Sequence, residues 1–275
     1  MRPQFSPSHF VPVMLRSLWA YRGFIFANVG REFAQRYTHS LLGGLWAVLN
    51  PLVMILIYTL IFAGMMRASL AGHESNPFAY SIYLCAGLLP WNGFADIIGR
   101  LQGVFPQYAN LLKKASFPRS CLPLIVVLSA LTDFAIVFSL FLLFLLLIGQ
   151  WPGWPLLALF PLLLIHVGFA VGLGLLTATM NVFFRDVGQF VGVALQFWFW
   201  FTPIVYSTAI LSGETRSLLA WNPLYPLTQA YHGLLLGHAW PDWSSLLGVT
   251  VLTLLLLWLS ARVFLRLVGE IVDEL

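Results

Sequence analysis

The sequence predicts an all-α integral membrane protein with six transmembrane helices, and three observations carry that reading. Hydrophobic residues fill 60% of the 275 positions and charged residues only 9%, with a mean hydropathy of +0.86. A soluble domain carries roughly 25% charge, so this chain cannot cover a water-facing surface in the usual way. Six mostly apolar runs also reach the ~20 residues that a helix needs to cross a bilayer. Finally, Lys and Arg alternate so unevenly between the connections that they orient the chain. The net charge of +4 is therefore a topology signal and not a surface for nucleic acid.

The runs lie at about 45–66, 78–98, 123–148, 156–180, 187–207 and 245–265. An even number of crossings puts both termini on one side. Placing them inside gathers Arg2, Arg16, Arg22, Arg31, Arg36, Arg100, Lys113, Lys114, Arg119, Arg185, Arg262 and Arg266 there. Only Arg67 and Arg216 remain outside. Both termini are thus expected in the cytoplasm. The chain divides into an N-terminal amphipathic interface segment (1–44), a six-span domain (45–267) and a short tail (268–275). Up to Arg31 there is no acid and no compact apolar run ending in small residues, so no cleavable signal peptide is expected. Cys85 and Cys121 show no metal-like spacing and read as small hydrophobes.

Taken in order, residues 10–44 mix Trp19, Tyr21, Phe24 and Phe26 with Arg16, Arg22, Arg31 and Arg36. Such a helix suits the headgroup layer, with rings in the acyl boundary and Arg toward phosphates. A simple anchor is the plainer reading. Glu32 and Arg36 stand at i,i+4, as do Asp96 and Arg100 near the inner end of the second span. In the connection 100–122, "NLLKKASF" reads as a short helix with Asn110 as N-cap, ending before Pro118. Leu111, Leu112 and Phe117 beside Lys113 and Lys114 suit docking into a partner's groove, or form an ordinary basic loop.

Asp133 and His166 lie inside the third and fourth spans, where ionisable groups are functional by default. They could relay protons, or Asp133 could bond a Thr, Tyr or Arg of a neighbouring helix. Gly168–Gly172 and Gly188–Gly192 favour close helix contact, within the chain or between copies. The fifth span carries "QFWFWFTPIVY", five consecutive aromatics before a Thr-Pro. On a helix Gln189, Gly192, Val193, Gln196 and Pro203 share a stripe flanked by Phe199 and Trp200. Rings with amides between them suit sliding sugar rings, whose CH faces pack on aromatics while hydroxyls meet amides. An interfacial aromatic belt is the alternative, and it accounts well for Tyr206. Outside, 208–244 is too apolar for a free loop, and its Asn-Pro and Tyr-Pro steps break it into two pieces. A re-entrant or interfacial helical hairpin is expected there.

Catalytic signatures are missing. No GxxxxGK[ST], HExxH or GxSxG occurs, and the Lys113–Lys114 pair contains the only lysines. "LSGET" at 211–215 echoes the signature loop of transport ATPases, but nothing around it resembles an ATPase domain. No enzyme activity, cofactor or metal site is expected in this chain.

Several fragments in order carry a family resemblance. They are "REFAQRYTHSLLGGLWAVLNPL", "NLLKKASFPR", "FFRDVGQ", "TPIVY" and "WNPL". Over essentially its whole length the chain resembles the ABC-2 type permeases, the membrane subunits of ABC transporters that export lipid-linked polysaccharide. The likeness is nearest to O-antigen exporters of the Wzm kind, with capsule and teichoic-acid permeases as relatives. The resemblance implies a twelve-span homodimer in the bacterial inner membrane with two separate ATPase subunits, which hold the ATP and Mg. It implies undecaprenyl pyrophosphate-linked polysaccharide as substrate. Asn110 to Phe117 would be the coupling helix, and Arg31, Arg36, Tyr37, Ser40 and Trp46 would shape the substrate entrance. Gln189, Gln196, Phe199, Trp200 and Tyr206 would line the channel. Trp221, Asn222, Pro223 and Tyr225 would belong to the outer gate. Two other classes compete: an ion-coupled carrier using Asp133 and His166, which predicts inverted repeats, and a membrane-embedded transferase, which needs a clustered acid, base or metal set.

Overall fold

The computed structural model describes residues 16, 19–36, 38, 40–61, 70, 76–109, 118–208 and 211–274. Among these residues every regular element is helical. Helix α1 (Arg22–Arg36) lies along the bundle with only Ile25 buried, as the amphipathic pattern predicts. A 3-10 turn at Gly43–Leu45 leads into α2 (Trp46–Tyr58). Then come α3 (Ala79–Gln107), α4 (Cys121–Leu147), α5 (Leu159–Phe183) and α6 (Asp186–Phe201). Two short helices follow, α7 (Gly213–Leu219) and α8 (Leu224–Leu235), and then α9 (Trp243–Leu267) and α10 (Glu270–Glu274).

Helix α3 is the axis of the bundle, packed against α2, α4, α5, α6 and α8. Its small residues permit this. A Cβ on Gly93 would stand 2.8 Å from the Phe134 ring of α4, and one on Gly87 3.0 Å from His232 Nε2 of α8. The predicted Gly168–Gly172 contact joins α5 to α9 within the chain. A Cβ on Gly172 would approach Leu256 Cβ to 2.9 Å and the Leu257 amide nitrogen to 3.0 Å, so only Gly lets the two backbones meet. At the other predicted pair, Gly188 abuts Asn181 and Gly192 faces open space.

Among the described residues, five helical stretches are long and apolar enough to cross a membrane: Gly43–Ile61, Ala79–Gln107, Cys121–Leu147, Trp154–Phe183 and Trp243–Leu267. The second runs well past the predicted residue 98, because Arg100 is neutralised by Asp96 and Asp133 and need not end the helix. The predicted run 187–207 differs most. Its helix stops at Phe201 after 16 residues, and 202–206 continue without helical structure. In the connection 208–244, α8 is buried against α3, α5 and α9, while α7 is largely exposed. "LSGET" has a local explanation there: Ser212 caps α7, its hydroxyl 3.0 Å from that of Thr215. Asn110, Leu111, Leu112, Lys113, Lys114 and Phe117 of the expected coupling helix, and Tyr37 of the expected entrance, lie outside the described residues.

Candidate functional site

The five rings of α6 divide between two faces. Phe197 is 75% exposed and Trp200 66%, and Phe201 stands with them. Gln189 and Gln196 are exposed on the same side of the helix. Trp198 and Phe199 turn inward instead. The Trp198 ring meets Phe94 and Phe169 edge-on at 5.7 and 6.0 Å, and Phe199 packs on Trp91 at 5.6 Å. The outward face is thus a strip of amides and aromatic faces, and the inward rings are core.

At its C-terminal end α6 leaves four carbonyls without helical partners. Each finds a different donor. Trp198 O accepts from the Thr202 hydroxyl (2.8 Å), Phe199 O from the Thr202 amide (3.2 Å) and Trp200 O from the Tyr206 hydroxyl (3.0 Å). Phe201 O accepts from Asn222 Nδ2 (3.1 Å). The non-helical residues beyond are served by two tyrosines of α3. Tyr80 donates to Val205 O (2.7 Å), and the Tyr83 hydroxyl lies within reach of Pro203 O (3.2 Å) and Tyr206 O (2.9 Å). Irregular backbone in a membrane protein survives only where its polar groups are met in this way.

Asn222 is the hub of this end. The residue is 2% exposed, and its amide makes four bonds. Oδ1 accepts from Trp198 Nε1 (2.8 Å) and the Leu224 amide (3.0 Å). Nδ2 donates to Phe201 O and to Thr202 Oγ1 (2.9 Å). The Tyr83 ring, besides holding the break, stacks on His232 of α8 with centroids 3.7 Å apart.

The opposite, basic end of the bundle is organised by charge. Arg36, at the end of α1, pairs with Asp133 of α4, bonds Ser129 (3.1 Å) and reaches Glu32 at 4.0 Å. Arg100 of α3 pairs with the same Asp133 oxygen at 2.7 Å and with Asp96 at 2.6 Å. A cavity of about 390 Å³ between α2, α3 and α4 opens beside them, with Asn50, Asn92, Asp96 and Asp133 on its wall. Near this end the Gly188 amide donates to Asn181 Oδ1 (2.8 Å), while Asn181 Nδ2 donates to Gln102 O (3.0 Å).

A family model described as "ABC-2 type transporter" matches residues 24–236. The chain belongs to this family. Among its relatives, this ABC-2 chain is 35% identical to the O-antigen export system permease protein RfbA of Myxococcus xanthus. That likeness runs over 91% of the chain and 95% of the relative. It is 31% identical to the RfbA permease of Klebsiella pneumoniae, over 84% of the chain and 87% of the relative. With the polysialic acid transport protein KpsM of Escherichia coli it shares 22% identity, over 85% and 89%.

The residues singled out from sequence fall into distinct settings on the ABC-2 chain. Gln189, Gln196 and Trp200 share the exposed face, whereas Phe199 is packed inward and Tyr206 is half-buried. Asn222 is buried, Trp221 is 87% exposed, and Pro223 and Tyr225 are intermediate. Arg31 is exposed, Arg36 is engaged by Asp133, Ser40 is half-buried and Trp46 is exposed. His166 is buried between Phe94 and Tyr231, with ring centroids 5.5 and 5.7 Å away. Sequence reasoning did not single out Tyr80, Tyr83 and Asn181. The signal available was polar residues recurring on the buried face of otherwise apolar helices, Tyr80 and Tyr83 at i,i+3.

Proposed function

We propose that this chain is the membrane-spanning permease subunit of an ATP-driven exporter that moves an undecaprenyl pyrophosphate-linked polysaccharide of O-antigen type across the bacterial inner membrane. Two copies form the channel, two separately encoded ATPase subunits dock on the cytoplasmic side, and both termini lie in the cytoplasm. The observation that carries this reading is the outward face of α6, where Gln189 and Gln196 stand among Phe197, Trp200 and Phe201. Amides are costly against lipid, so such a face belongs to a lumen or a second copy. Rings and amides in series hold a sugar chain loosely at many points, which is what a sliding polymer requires. The names of the RfbA and KpsM relatives point to the same substrate class.

In this reading ATP and Mg belong to the partner, since the chain has no phosphate-cradling loop of its own. Asn110 to Phe117 couple to it. The exposed Arg31, with Arg36, Tyr37, Ser40 and Trp46, receives the charged lipid head. Helices α7 and α8 form the outer gate. The contacts of α8 with Tyr83 and Gly87 of the long helix α3 support a re-entrant gate. The ion-coupled alternative draws no support from Asp133, which is held between Arg36 and Arg100.

The test is purification with the ATPase encoded beside it. Lipid-linked glycan should stimulate ATP hydrolysis in that complex. Transport by the isolated chain on a proton gradient, without any ATPase, would sink the proposal. Trp200→Ala or Gln196→Ala should lower export about tenfold with assembly intact, the size of one lost stacking or hydrogen-bond contact. Normal export in both variants would remove α6 from the channel wall.

A further inference from the structure

We propose that Asn222 and Asn181 are positioning residues that together fix the rotation of α6 and so decide which of its rings face the path. The transport consequence rests on the export reading above; the positioning itself does not.

Five adjacent aromatics give a helix no apolar stripe, because every direction around it is equally greasy. Something else must select the outward face. The polar atoms available for that selection are few, and they converge on two side-chain amides. At the outer end Trp198 is the one ring of the run whose nitrogen donates to a buried acceptor, Asn222 Oδ1 at 2.8 Å. That bond, acting with the grip of the same amide on Phe201 O and Thr202 Oγ1, turns Trp198 inward, and helical spacing then sends Phe197 and Trp200 outward. The other half of the amide holds Phe201 O and Thr202 Oγ1, so a single side chain grips a ring, a carbonyl and a hydroxyl of the same helix end.

The basic end repeats the device with a different neighbour. Asn181, on the last turn of α5, accepts from the Gly188 amide in the first turn of α6 and donates to Gln102 O of α3. A Cβ at position 188 would stand 3.0 Å from Asn181 Oδ1, so the grip closes on a glycine. A turn of α6 by one residue would move each bonded group about 100° around the axis and break both grips. Each amide uses its acceptor and its donor at once, so neither can release α6 without leaving polar groups unpaired, buried ones at Asn222 and part-buried ones at Asn181.

Thiol reactivity reads the rotation directly. Cys85 and Cys121 are both buried, so a Cys85→Ala, Cys121→Ala chain in its native membrane is the background. In it, Phe199→Cys should react with a membrane-permeant maleimide about tenfold more slowly than Phe197→Cys, because reactivity follows exposure. Asn222→Asp keeps an acceptor for Trp198 and Leu224 but sets an oxygen against Phe201 O. Adding it should bring the reactivity of Phe199→Cys close to that of Phe197→Cys. Thr202→Ser, which keeps the hydroxyl, should preserve protection, and Thr202→Val should reduce it. Phe264→Ala, which removes a stacking partner of Phe105, destabilises the bundle away from α6 and serves as control. It should lower the melting temperature and leave Phe199→Cys protected.

Protection that persists in Asn222→Asp would overturn the proposal, as would equal exposure in Phe264→Ala. Labelling needs neither glycan nor ATP, so this outcome stands whether or not the chain exports polysaccharide. Where the wild-type complex does export it, Asn222→Asp should cut export about tenfold, comparable to losing Trp200. Undiminished export with a rotated α6 would overturn the link between rotation and path.

Discussion

Asp133 is the residue on which the basic end depends. One of its oxygens meets Arg36 from α1 and Arg100 from α3, and no helix of the three contributes a second bridge of this kind among the described residues. Its side chain is 21% exposed, so the pair is partly desolvated. Removing one member of such a network leaves like charges facing each other without their counter-ion. Asp133→Asn should therefore destabilise the protein by about 2 kcal/mol, less than a fully buried pair because water still reaches it. Ser129→Ala, which loses one bond to Arg36, should cost about 1 kcal/mol. Thermal unfolding in detergent measures both, and an unchanged melting temperature in Asp133→Asn would mean that α1 is held by its apolar contacts alone.

At the scale of elements, the break after α6 and the start of α9 give separate expectations. Tyr83→Phe removes the donor near Pro203 O and Tyr206 O, and Tyr80→Phe the donor to Val205 O. A carbonyl left unpaired costs about 1–3 kcal/mol, and Tyr83 is the more buried of the two, so Tyr83→Phe should be the more damaging. Equal melting temperatures for both variants would show that the backbone finds other donors. Helix α9 begins on Asp242, whose carboxylate accepts from the Ser244 amide (3.0 Å) and hydroxyl (2.7 Å). Those bonds hold its pKa below the ordinary carboxylate range. A depressed value stabilises the fold above that range and stops doing so as the pH falls through it. The melting-temperature gap between wild type and Asp242→Ala should thus be constant near neutral pH and shrink in acid.

The same scale shows what was legible. Long apolar runs set where five helical stretches of the described residues begin to within a few positions, because hydrophobic length is written in composition, although the second outruns its expected end. Glu32–Arg36 and Asp96–Arg100 were readable as i,i+4 pairs, but the meeting of Arg36 and Arg100 on Asp133 depends on helix packing. The Thr-Pro after Phe201 was visible in the sequence, but the predicted run continued through it to 207, whereas the helix ends before it. Which rings face outward could not be read, since a run of aromatics has no periodic contrast. That answer lies in Asn222, 24 residues from Trp198 along the chain.

For the whole molecule, the exposed side of α2, with Leu52, Val53 and Leu56, and the outward face of α6 are unpartnered surfaces of one copy. The complex should accordingly contain two copies of this chain with two ATPases, measurable as the mass of the detergent-solubilised particle. A particle with a single copy would leave the α6 face against lipid and contradict the channel reading. The dimensions of α6 add a consequence of a different kind. Thr202, Pro203 and Ile204 are buried, so the outward surface of this segment ends with its 16-residue helix. At 1.5 Å per residue that surface is about 24 Å tall. A typical hydrocarbon core is about 30 Å thick, so bare α6 in such a bilayer would force the lipid to thin beside it. Enclosing the surface in a lumen shared with a second copy relieves that mismatch. Membrane thickness thereby becomes a force for assembly: the paired form should gain on the single chain as acyl chains in reconstituted vesicles are lengthened.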